Sequence, residues 1–61
     1  MNLTKSIIEC LHFFGVQNAE EIQAHLKLRR EEYPLQDIKQ YLIFMEKNGL
    51  IKKSDQEGYY K

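Results

Sequence analysis

Apolar residues recur along this chain at spacings of three and four, in three blocks separated by glycine, asparagine and proline. In the first block Leu3, Ile7, Ile8, Leu11 and Phe14 share one helical face, while Lys5, Glu9 and His12 turn away from it. This spacing predicts a helix from Leu3 or Thr4 to Phe14, capped by Asn2 or Thr4 and ended by Gly15. The second block opens on Asn18-Ala19-Glu20-Glu21, where Asn18 in the cap position faces a glutamate three residues later, a capping-box arrangement. Ala19, Ile22 and Leu26 form its buried stripe, with Leu28 following. Pro34 pushes Tyr33 out of helical geometry, so this helix is expected to end near Arg30 or Glu31.

The third block predicts a helix from Pro34 or Leu35 to Asn48. At about 100° per residue, Leu35, Ile38, Leu42 and Met45 point inward with Tyr41 at the margin. Gln36, Lys39, Gln40, Ile43 and Lys47 fall on the outer side. Asn48-Gly49 stops the helix, and two short β-prone runs follow, Leu50-Ile51 and Tyr59-Tyr60. They flank Asp55-Gln56-Glu57-Gly58, a turn in which Gly58 can supply a positive φ. The fold class is therefore mainly α with a small β-hairpin.

At 61 residues the chain makes one domain, spanning residues 1–61, near the lower limit for a core without staples. One proline, three glycines and no repeat argue for folding rather than disorder. No apolar run reaches membrane-spanning length, and the first residues lack a basic head followed by a long apolar core, so a cytoplasmic protein is expected. Cys10 is alone, which leaves a small core or subunit-interface residue as its role. His12 and His25 fit no metal spacing. There is no phosphate loop, nucleophile motif or carboxylate pair, so no catalysis, metal or cofactor is expected.

Ala19-Glu20-Glu21-Ile22 with Leu26, then Ile38, Leu42, Met45 and Gly49-Leu50-Ile51, then Gly58-Tyr59-Tyr60, together resemble the winged helix-turn-helix superfamily over nearly the whole chain. The resemblance is to small prokaryotic transcription regulators, and it implies a three-helix bundle with a two- or three-stranded wing. Val16 then suits a minimal strand against the wing. In such regulators the third helix enters the major groove and the wing touches the backbone. The chain departs from that pattern twice. The interval from Leu26 to Ile38 is longer than the usual tight turn, and the wing tip carries Asp55 and Glu57 where lysine or arginine is common.

The implied function is a transcription regulator that occupies a duplex DNA site. Gln36, Lys39, Gln40 and Lys47 are the base-contact candidates, and Arg29, Arg30, Lys52 and Lys53 the phosphate-contact candidates. Nine basic and nine acidic side chains cancel, where a nucleic-acid binder usually has a basic excess. Glu31 and Glu32 can also pair locally with the two arginines. The alternative is a winged-helix protein-interaction module. Ile43 with Phe44, or Phe13 with Cys10, would form its interface with a protein partner. In the DNA-binding reading the same patches would join two copies into a homodimer that presents two reading helices to a twofold site.

Overall fold

The computed structural model describes residues 2–61 and contains three helices followed by a two-stranded antiparallel hairpin. Helix α1 spans Leu3–Phe14, α2 Ala19–Leu28 and α3 Leu35–Lys47. Strands β1 (Lys52–Lys53) and β2 (Tyr59–Tyr60) pair Lys52 with Tyr60 and Lys53 with Tyr59.

The helix starts follow the local chemistry. At α1 the Asn2 side chain accepts hydrogen bonds from the Thr4 and Lys5 amides. At α2 the capping box is complete: Glu21 N–H donates to Asn18 Oδ1 at 2.8 Å and Asn18 N–H donates to Glu21 Oε1 at 2.9 Å. Proline occupies the cap position of α3, so that end relies on packing instead.

Two helix ends use the same device with different residues. At the end of α3, Gly49 N–H donates to Glu46 O and Leu50 N–H to Met45 O, with Gly49 at φ 75°. At the end of α2, Arg30 N–H donates to Lys27 O and Glu31 N–H to Leu26 O, with Arg30 at φ 61°. A left-handed arginine therefore stands where glycine is usual. This closure ends α2 at Leu28, two to three residues earlier than the charge pattern predicts.

The core is a single cluster in which Ile7, Leu11, Ile22, Leu26, Ile38, Leu42, Met45 and Ile51 meet. Each such side chain, fully buried, contributes about 1.5–3 kcal/mol. Cys10 belongs to this core and not to an outer face. Phe14, expected inward, instead stacks flat on His25 of α2, ring centroids 3.9 Å apart, and stays 57 % exposed outside the core. Leu28, expected beside the α2 stripe, is 82 % exposed, because the chain turns away immediately after it.

The sheet corrects two further expectations. Ile51 is drawn into the core, so β1 begins at Lys52 and not at Leu50. The third edge of the sheet is made by Gln17 rather than Val16. Gln17 N–H donates to Tyr59 O at 3.1 Å and Tyr59 N–H to Gln17 O at 2.8 Å. Gly58 is needed at this edge for space: a Cβ there would stand 2.9 Å from the Gln17 carbonyl carbon and oxygen. Its φ is not positive, unlike those of Gly15 and Gly49.

Candidate nucleic-acid interface

Helix α3 is seated by Ile38, Leu42 and Met45, which leaves the opposite arc to project outward. That arc carries Gln36, Lys39, Gln40, Ile43 and Lys47, all exposed and with no carboxylate among them. Asp37 and Glu46 lie to either side of it by helical geometry. Among the described residues, none of Gln36, Lys39, Gln40, Lys47, Lys52 or Lys53 has a side-chain hydrogen bond or ion-pair partner.

Between α3, the start of α2 and the hairpin runs a groove of about 340 Å³. Lys39 and Ile43 line one wall, Lys53 and Glu57 the other, and Asn18 with Glu20 closes one end. Two ammonium and two carboxylate groups thus share it. The hairpin wall is held in place by Ile51 in the core and by the Gln17–Tyr59 pairing. Successive residues of a strand face opposite sides, so Lys52 is turned away from the groove that Lys53 enters.

The arginines are placed elsewhere. Arg29 Nη2 lies 3.1 Å from Glu9 Oε1 and its Nε 3.2 Å from Glu31 Oε2. Glu31 is buried and accepts a further hydrogen bond from Ser6 Oγ. Arg29 therefore ties the turn after α2 back to α1, and of the sequence candidates it alone is committed to internal pairs. Arg30 borders a separate hollow with Lys27, Glu32 and Tyr33. That turn is also held from inside, where Gln23 Nε2 donates to Tyr33 O at 3.0 Å. Ile43 and Phe44 are each 58 % exposed, and Phe44 lies with Gln40 and Tyr41 on the flank of α3 away from the hairpin.

Behind the hairpin, Gln17 is a buried polar hub that no sequence pattern marks. Its Nε2 donates to Cys10 O at 2.9 Å, and its Oε1 accepts from Cys10 Sγ at 3.3 Å and from His25 Nδ1. Every buried side-chain nitrogen and oxygen among the described residues is thereby satisfied. Burial pushes the Cys10 thiol above its ordinary pKa, opposed by the Gln17 hydrogen bond and the Arg29 charge. No group of metal-ligating side chains assembles among the described residues. Among the described residues no helix is long and apolar enough to cross a membrane. Comparison with protein families, with curated proteins and with solved structures returns no match for this chain.

Proposed function

We propose that this chain is a small winged-helix DNA-binding protein that regulates transcription by occupying a duplex site, with α3 in the major groove and the hairpin against the backbone. The observation that carries the reading is the α3 arc of Gln36, Lys39, Gln40 and Lys47, exposed, unpartnered and free of carboxylates. The order of elements supports it too: helix, sheet edge at Gln17, two helices, hairpin. A helix about 10–12 Å across matches a major groove about 12 Å wide. Glutamine pairs with the edge of adenine, lysine with guanine, and Ile43 suits a thymine methyl. Lys52 and Lys53 hold phosphates. Arg29 is spent on Glu9 and Glu31 and is left out of the contact set.

The test is a salt titration of binding to random duplex DNA. On random DNA, where no chosen guanine holds them, Lys39 and Lys47 join Lys52 and Lys53 on phosphates. There log K should fall against log salt with a slope of about −3.6, or about 150-fold between roughly 50 and 200 mM. Absence of binding even in dilute salt removes the proposal. A second reading, a protein-interaction module, is favoured by the exposure of Ile43 and Phe44 and by Glu20 and Glu57 beside the groove lysines. It is the one left standing if that titration shows no binding.

A further inference from the structure

A row of largely exposed rings lies outside that interface, at the end of α1 and along α2. His12, Phe13, Phe14 and His25 form an unbroken row of rings, with successive centroids 6.2, 6.3 and 3.9 Å apart. Phe13 is 82 % exposed and Phe14 57 %, and Leu28, one turn beyond His25 on α2, is 82 % exposed. His25 is tied to Gln17 through Nδ1, but among the described residues neither Phe13 nor Leu28 packs against the core.

We infer that a second copy of the chain docks here, packing the two aromatic rows against each other about a twofold axis. The strip's charge favours a second copy over other occupants. Among the described residues, the exposed pair Glu9 and Arg29, 3.1 Å apart and of opposite sign, flanks the cleft beside Phe13, Phe14 and His25. A twofold operation brings each against its opposite on the other copy, which makes the patch self-complementary. A phosphate backbone or an anionic lipid surface would find no surplus positive charge there. At about 200 Å² for a fully exposed side chain of this size, the two phenylalanines and Leu28 offer roughly 440 Å², over half of the about 800 Å² per partner of a standard interface. A chain of this length buries little of its own surface, and pairing through this strip extends its core. The Cys10 thiol, under the strip and in the core, takes no part in the contact.

Sedimentation equilibrium tests this directly. The wild type should approach twice the monomer mass as concentration rises through the micromolar range. Phe13→Asp should weaken association by at least about thirtyfold, the loss typical of a central aromatic anchor, with an unchanged helical circular dichroism spectrum. Leu28→Asp, on a different helix, serves the same purpose if Phe13→Asp does not fold. Phe44→Asp, on the flank of α3, should leave the dimer intact. A wild type that stays monomeric overturns the inference, as does a dimer that survives both strip variants or is lost in Phe44→Asp.

Discussion

Replacing Arg30 with glycine should make this protein more stable. Arg30 sits at φ 61° in the closing turn of α2, a conformation that costs an L-residue about 1–2 kcal/mol. Its side chain is exposed and has no hydrogen-bond or ion-pair partner among the described residues, so nothing in the folded state offsets that strain. Glycine removes the strain but frees the unfolded chain, which returns about 0.4–1 kcal/mol. The net gain is about 0–1.6 kcal/mol with a midpoint of about 0.8, or about 3–6 °C in Tm at that midpoint for a domain of this size. Gly49 provides the mirror experiment. It makes the same pair of hydrogen bonds at φ 75°, and a Cβ there meets nothing within 4 Å. Gly49→Ala should therefore lose about 1 kcal/mol through backbone strain alone. Arg30→Ala isolates the side chain, since it keeps the Cβ and the strain. Thermal and urea unfolding by circular dichroism measures all three. If Arg30→Gly is no more stable than Arg30→Ala, the left-handed closure is not where the strain resides and the reasoning fails.

Four further outcomes follow from the contacts described. Gly58→Ala should lower stability by about 1–3 kcal/mol, because its Cβ would strike the backbone of Gln17 and part the sheet edge; two-dimensional NMR should show the shifts concentrated at Gln17 and Tyr59. Arg29→Ala should cost about 1–3 kcal/mol by stranding the buried Glu31 carboxylate, yet leave the salt slope of DNA binding unchanged, whereas Lys53→Ala should reduce that slope by about 0.9 and leave Tm nearly untouched. Asn18→Ala should cost about 1 kcal/mol by opening the capping box, read from the urea midpoint. The Cys10 thiol is raised in the folded state, so the native form holds its proton longer than the unfolded form. Its contribution is then complete below the ordinary value of 9.0 and fades as pH rises above it; the stability difference between wild type and Cys10→Ala should shrink in that range, and a thiol reagent at neutral pH should label Cys10 only on unfolding.

The helices were legible because their signals are local. The Asn18–Glu21 box and the Ile38, Leu42, Met45 stripe need only residues within a few positions of one another. The errors fall where distant residues decide. Phe14 continues the α1 stripe on a helical projection, but what a partner helix offers that turn is a tertiary matter, and α2 offers the His25 ring at the surface instead of a core pocket. The end of α2 falls at Leu28, short of the expected Arg30 or Glu31, because an arginine in glycine's conformation gives no warning in sequence. Gln17 resembles any loop glutamine until folding sets Cys10, His25 and Tyr59 around it. Within the candidate site, the α3 candidates followed from helical phase. The diversion of Arg29 to Glu9, twenty positions away, and the entry of Glu20 and Glu57 into the groove depended on three-dimensional placement.

Gln17 and Tyr59 stand more than forty residues apart, so the two backbone hydrogen bonds between them close most of the chain into one loop. Loop closure of that length is entropically expensive, while each helix can form from neighbours in sequence. The ribbon is therefore expected to dock onto the bundle late in assembly. In the reverse direction it is the seam that gives first, and the amides of Gln17 and Tyr59 exchange their hydrogens with solvent ahead of those of Ile38 and Leu42.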